Sequence, residues 1–349
     1  MKRGSYGPFV LGFTVAVTRL GSGDDAAAHG GVDEERSPPE QLPAGARSSA
    51  VEERHESTEG TEREREDRFA VRLDLVLGWG KVPFAVQNLP TTGAQQITYS
   101  RSDATPSDVQ SFILGGQIEA TEHIGAGVRL PFMVGTFSPV GSAARSTTSV
   151  GNVEVEGEVS TTLGAGLKLV GALGVALPTG QGEEIPTTLV DVAAPAVNAP
   201  AYDRFSLARA AALARGYEAN ALFETGRLGL IPQVSLVYEG ERLRFEPYLK
   251  VENLIRTDSS LEAPYVGEIV AAVRGGYLIH RHVELALRGW VNVGFAGTPE
   301  DRRTTVAIEP DLTASFGPVR AYGGCVVPLA GAPEEAGFFG VRLGLVISF

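Results

Sequence analysis

Residues 339–349, the last of the chain, read FGVRLGLVISF. Phe339, Val341, Leu343, Leu345, Ile347 and Phe349 share one parity, and Arg342 and Ser348 fall on the other. Successive side chains of a strand point to opposite faces, so this pattern is a strand with one apolar and one polar face. Residues 69–79, FAVRLDLVLGW, repeat it: Phe69, Val71, Leu73, Leu75, Leu77 and Trp79 alternate with Arg72 and Asp74. Mean hydropathy is +0.02. No apolar run reaches the roughly 18 residues that a membrane-crossing helix needs. That excludes a helical membrane protein but not a membrane β-barrel, whose apolar residues are diluted by alternation.

Ten more strand-like segments lie between these ends, at about 109–120, 124–136, 151–162, 166–177, 228–238, 243–256, 266–279, 283–295, 304–316 and 319–328. Most run 10 to 14 residues. Ordinary globular strands average about five or six, whereas a tilted membrane-crossing strand takes about 9 to 11. Short connections (121–123, 163–165, 239–242, 280–282 and 317–318) alternate strictly with long ones. Membrane barrels show this asymmetry between periplasmic turns and outward loops. The expected fold is all-β, a transmembrane antiparallel up-and-down barrel of twelve strands. It becomes fourteen if the connection 178–227 conceals two more.

The barrel is expected to occupy 69–349. Residues 1–28, with Lys2 and Arg3 before an apolar stretch from Phe9 to Val17, have the shape of a signal segment. Residues 29–68, which include the run Glu62-Arg63-Glu64-Arg65-Glu66-Asp67-Arg68, read as a disordered charged linker.

Charges sort onto one parity of nearly every segment. A charged side chain facing the bilayer midplane costs about 2–4 kcal/mol, so that parity is expected to line the lumen. It carries the bases Arg72, Arg129, Lys168, Arg244, Lys250, Arg274, Arg288, Arg320 and Arg342. The acids are Asp74, Glu119, Glu154, Glu156, Glu158, Glu246, Glu252, Glu268, Glu284, Glu309 and Asp311. Nine bases nearly balance eleven acids, which predicts a cross-bridged lumen rather than a strongly ion-selective one.

No catalytic motif, P-loop, dinucleotide fingerprint or paired cysteines occur, and no catalytic residue, metal site or cofactor is expected. His29 and His55 fall in the linker, and His123, His280 and His282 in predicted short turns, so none stands at the outward rim where a barrel hydrolase would hold its base. The single Cys325 lies on the apolar parity of its strand. A formal charge of −12, from 30 Lys and Arg against 42 Asp and Glu, argues against a nucleic-acid partner. The 50-residue connection 178–227 holds Pro178, Pro186, Pro195 and Pro200 and then Ser206–Arg215, which could form a short helix. Such a length signals a functional loop or disorder, and its composition suits a lid or plug over or in the pore as well as a plain surface loop.

The stretch 151–182, GNVEVEGEVSTTLGAGLKLVGALGVALPTGQG, resembles a feature of the transporter-like outer-membrane family named for the meta-pathway of phenol degradation. That family typically shows Gly-Asp before an alternating strand, a short turn, and a glycine-alternating strand ending in Pro-Thr-Gly. Pro178-Thr179-Gly180 matches the close, and Asn152 stands where the family usually has Asp. The resemblance implies passage of small hydrophobic or aromatic compounds across the cell outer membrane. Barrels of this kind also end on an aromatic residue recognised by the barrel-assembly machinery, a role that falls to Phe349. The expected function is a porin-like channel for passive transport in contact with outer-membrane lipid. The alternative is a closed structural barrel with a salt-bridged lumen, and an outer-membrane enzyme is disfavoured.

Overall fold

The computed structural model describes residues 69–88, 98–138, 143–182, 199–257, 263–298 and 303–349. The expected signal segment and linker lie outside these residues. The strands are β1 (Phe69–Asn88), β2 (Thr98–Thr121), β3 (Ile124–Phe137), β4 (Arg145–Val150), β5 (Val153–Gly164), β6 (Leu167–Leu177) and β7 (Arg227–Glu239). They continue with β8 (Leu243–Arg256), β9 (Tyr265–His280), β10 (Val283–Ala296), β11 (Thr304–Phe316), β12 (Val319–Gly324), β13 (Val327–Ala330) and β14 (Phe339–Ser348). Helices are α1 (Ala199–Ala214) and the single turn α2 (Ala332–Glu335).

β3 pairs β4 along Phe132–Phe137 and β5 along Ile124–Arg129, so β4 and β5 are one wall strand broken at Gly151-Asn152. β11 likewise pairs β12 and β13, one wall strand broken at Cys325-Val326. The fourteen segments therefore make twelve wall strands, each antiparallel to its neighbours. β1 pairs both β2 and β14, β14 pairs β12, and β10 pairs both β9 and β11, so the sheet closes on itself. Closure pairs the strand edges that a wall in hydrocarbon could not leave open, with the short β13 laddered to β11.

The alternation read from the sequence becomes the two faces of this wall. Leu73, Leu249, Leu285 and Leu343 are exposed on the outside while Asp74, Lys250, Glu284 and Arg342 are buried within. Aromatic rings gather at both rims. Phe69 and Phe349 lie 6.1 Å apart at the short-turn end, and Trp79 stacks on Phe339 at 5.2 Å at the other. The chain ends meet in the ladder, the Phe349 N–H donating to the Phe69 carbonyl at 2.8 Å. β1 and β2 run past their expected limits, to Asn88 and from Thr98, as a long hairpin. Among its described residues the long connection holds no further strand. It forms α1 and a 3-10 turn, Asn220–Leu222.

Candidate functional site

The helix α1, APAYDRFSLARAAALA, is alanine-rich, with Asp203, Arg204 and Arg209 as its charged residues. Its apolar majority favours burial, and here the burial is inside the barrel. Leu207, Ala208, Ala210, Ala211, Leu213 and Ala214 are all buried. The wall yields space for it with glycine: a Cβ on Gly78 would collide with Ala214, and one on Gly135 with Leu207. Around it the inward parity turns apolar, with Val76, Val109, Ile113, Met133, Phe137 and Trp290 forming one buried cluster with the helix. The charged-parity reading missed this division. Around α1 the outward lumen is apolar and filled, and the charges lie at mid-wall, towards the short turns and, as Glu252 and Glu268, near the outward ends of β8 and β9.

Gly216 (φ 53°) and Tyr217 (φ 62°) are both left-handed and end the helix. Beyond them the chain crosses the bore and is tied to the wall through its own backbone. Trp290 Nε1 donates to the Gly216 carbonyl at 3.3 Å and Asn292 Nδ2 to that of Tyr217 at 3.0 Å. Lys250 Nζ donates to the Glu218 carbonyl, and the Ala221 N–H donates to Glu252 at 2.8 Å. Asn220 donates to Glu268 at 3.2 Å. Tyr248 donates its hydroxyl to the Glu218 carboxylate.

Arg215 and Glu218 enter the wall's charge network. Arg215 reaches Asp74 at 3.0 Å and the Ser111 carbonyl at 3.1 Å. Asp74 also takes Arg342 at 3.4 Å, Arg342 takes Glu309 at 2.9 Å, and Glu309 pairs with Arg288. Arg288 returns to Glu218 at 3.0 Å. Further pairs join Arg274 to Glu284 and Asp311, Arg244 to Glu284, Lys250 to Glu252, and Arg129 to Glu154 and Glu156.

Of the charged residues expected in the lumen, the structure buries Asp74, Arg129, Glu154, Glu158, Glu246, Lys250, Glu252, Glu268, Glu284, Arg288, Glu309, Asp311 and Arg342. Arg72, Glu119, Glu156, Lys168, Arg244, Arg274 and Arg320 are half-buried. Arg215, Glu218 and Asn220 join them from the loop, whose composition does not say which wall charge it will meet. Cys325 is exposed, and His280 and His282 stand side by side at a short turn with ring centroids 5.7 Å apart. Among the described residues no group of three or more His, Cys, Asp or Glu could hold a metal ion.

The base of the insertion is held at the break between β4 and β5. Asn152 Nδ2 donates to the carbonyls of Ala221 at 2.8 Å and Glu224 at 2.7 Å, and its Oδ1 accepts from the Gly180 N–H at 2.9 Å. Thr179 Oγ1 donates to the Gly151 carbonyl at 3.1 Å and accepts from the Val153 N–H at 2.8 Å. Gly151 is fixed by space, since a Cβ there would collide with the Leu222 carbonyl. On α1 itself, Arg145 of the wall meets Asp203 at 3.1 Å. Burial pushes the Asp203 carboxyl up to about 6, against the opposing pull of Arg145 and Arg204.

No protein-family model and no curated protein matches the chain. Among solved structures it is similar to an outer membrane channel from Pseudomonas putida F1, at 16% identity and a TM-score of 0.54, covering 81% of this chain and 96% of that one. The NanC porin aligns at 9% identity and a TM-score of 0.45, over 79% of this chain and 100% of that one. The KdgM porin aligns at 7% and 0.41, over 80% and 99%. The likeness is one of fold: the chain is a closed β-barrel resembling those of outer-membrane channels.

Proposed function

We propose that the protein is an outer-membrane channel for passive passage of small hydrophobic or aromatic solutes, with α1 as its gate. The supporting observation is the apolar outward lumen, filled by a helix that belongs to a loop and not to the wall. Side chains alone fill a barrel of about eight strands, whereas wider barrels leave a bore. Here the twelve-stranded bore is closed by α1 packed on Val76, Val109, Ile113 and Met133. Such a helix can leave without breaking a wall hydrogen bond, and an apolar solute can take its place among the same side chains. The charged residues of the inward parity brace the wall, and the resemblance at 151–182 favours the same solute class.

In this reading the apolar outer band meets outer-membrane lipid. The chemistry is diffusion down a gradient, with no catalytic step. A closed structural barrel is the second reading, favoured by the ion-pair chain that pins the loop.

Planar-bilayer recording separates the two. Replacing Ala201–Leu213 by a short flexible linker should leave a heat-modifiable barrel, because closure entropy changes slowly with loop length. Larger and more frequent conductance steps than those of the intact protein are expected. Silence from both proteins would sink the channel and leave the closed barrel.

A further inference from the structure

We propose that the segment Gly216–Leu222 stays on the wall when α1 leaves and lines the open passage, so that its apolar side chains set the preference for apolar solutes. The proposal rests on the channel reading above. It assigns selectivity to the segment and leaves α1 as the gate alone.

The two parts of the loop are held in different ways. In α1 the backbone bonds run within the helix, so the helix can leave the bore with them intact. It packs through apolar side chains, with the Arg145–Asp203 pair near its outward end. The left-handed Gly216 and Tyr217 end the helical pairing, and from there the backbone bonds go to the wall. The carbonyls of Gly216, Tyr217 and Glu218 accept from Trp290, Asn292 and Lys250. The Ala221 N–H donates to Glu252, and the Leu222 carbonyl accepts from the Asn152 N–H at 2.8 Å. Glu218 and Asn220 add their side chains, to Arg288 at 3.0 Å and to Glu268 at 3.2 Å.

Lifting the segment would unpair these buried groups on both sides, and each loss is costly away from water. Lifting α1 gives up apolar contacts, which an apolar solute can replace. The helix is the part that moves, and the segment is the part that stays.

The segment has two faces. Its polar groups turn to β8, β9 and β10 and cover Lys250, Glu252, Glu268 and Asn292, all of them buried. Tyr217, Ala219 and Leu222, with the following Phe223, belong instead to the buried cluster that holds α1 and Val76, Ile113 and Met133 of the wall. Ala221 packs in a separate cluster with Ile231, Leu254 and Val266. Departure of α1 therefore uncovers apolar groups on the segment as well as on the wall. Without the segment, one side of the same passage would present charges and amides to the solute.

The test uses the full chain with Ala201–Leu213 replaced by a short flexible linker. Amide exchange followed by mass spectrometry should leave Gly216–Leu222 as protected as in the intact protein. In this background Ala219→Glu sets a charge on the apolar face, and Ala219→Met adds bulk without one. Naphthalene uptake into vesicles with a lipopolysaccharide outer leaflet is then compared, above that of protein-free vesicles. Ala219→Glu should lower uptake about tenfold or more, because a carboxylate holds water in the apolar path. Ala219→Met should retain most of the uptake, and ionic conductance should persist in both variants. Equal uptake in the two, or exchange in the segment as fast as in an unstructured loop, would overturn the proposal and leave the channel reading standing. If Ala219→Glu loses its heat shift on gels, the exchange result decides. If the linker protein passes neither ions nor naphthalene, the channel reading falls and the proposal with it.

Discussion

Arg215 and Glu218, three residues apart in the lumenal loop, are the two ends of one chain of alternating charges whose middle belongs to the wall. It runs from Arg215 through Asp74, Arg342, Glu309 and Arg288 to Glu218, crossing β1, β14, β11 and β10. Three bases and three acids balance, so the loop brings no net charge into a buried place. The loop supplies the two terminal groups, and undocking it would leave Asp74 and Arg288 each one partner short.

Arg215→Met should therefore loosen the loop and not the barrel. Removing one partner of a buried pair typically costs about 3–5 kcal/mol, because an uncompensated charge stays behind. The variant is expected to keep its heat shift on gels while its lumenal loop becomes sensitive to protease and its conductance rises. Adding Asp74→Leu should restore part of the protection, since Arg342 retains Glu309. Protease resistance equal to the parent in the single variant would show that the chain does not hold the loop.

A second test concerns facing. Leu285 is 53% exposed on the outer wall, while its neighbour Glu284 is buried, accepts from Arg244 at 3.0 Å and forms an ion pair with Arg274 at 2.6 Å. Leu285→Arg should cost about 2–4 kcal/mol of barrel stability in lipid, as charge at mid-bilayer does. Glu284→Gln should cost about 1 kcal/mol, since both arginines keep 27% exposure and Arg274 keeps Asp311. Glu284→Arg is expected to be worse than Glu284→Gln, because it sets a third cation between two. Urea titration followed by heat-shift gels ranks the three, and equal damage from Leu285→Arg and Glu284→Gln would contradict the facing.

The wall was legible because period two is a local signal. The parity of Leu285 and Glu284, or of Val155 and Glu156, follows from the pleat of one strand. The number of strands is legible for the same reason, although two wall strands carry breaks that no local period marks: 151–162 begins at one, and 319–328 contains one. The lumen was legible only in part. Val76 and Val109 share the parity of Asp74 and Ser111, yet nothing local says that an alanine-rich helix will cover the first two and an arginine meet the others. That pairing is non-local, set by where a long loop folds back.

Acidity should tighten the gate through Asp203. The docked carboxyl is raised to about 6 by burial, and a carboxyl freed into water has its ordinary value near 3.8. A raised acid binds its proton more tightly when docked. Docking of α1 therefore strengthens as pH falls through 6 and gains nothing further below about 3.8. Channel opening is expected to decrease across that window. Asp203→Asn mimics the protonated side chain, so it should be less open than the parent at pH 7 and should remove this part of the pH dependence. A variant whose profile overlays that of the parent would exclude Asp203 as a sensor.

An asparagine at 152 has a physical reason in this fold. One side-chain oxygen accepts from Gly180, which any carboxylate could also do. The other end must donate, because it faces the carbonyls of Ala221 and Glu224 at 2.8 and 2.7 Å. An aspartate would set a negative oxygen against both. Asn152→Asp is thus expected to be more harmful than Asn152→Ala, which only leaves the carbonyls unpaired at about 1–3 kcal/mol. Both changes act where the inserted loop leaves β6 and rejoins β7, so the barrel should still form while protease reaches the loop and conductance rises, most in Asn152→Asp. Leu222 still accepts from the Asn152 backbone N–H at 2.8 Å in either variant, which keeps the loop attached near its base. An Asn152→Asp protein as closed and as protease-resistant as the parent would mean that the amide is not what moors the loop.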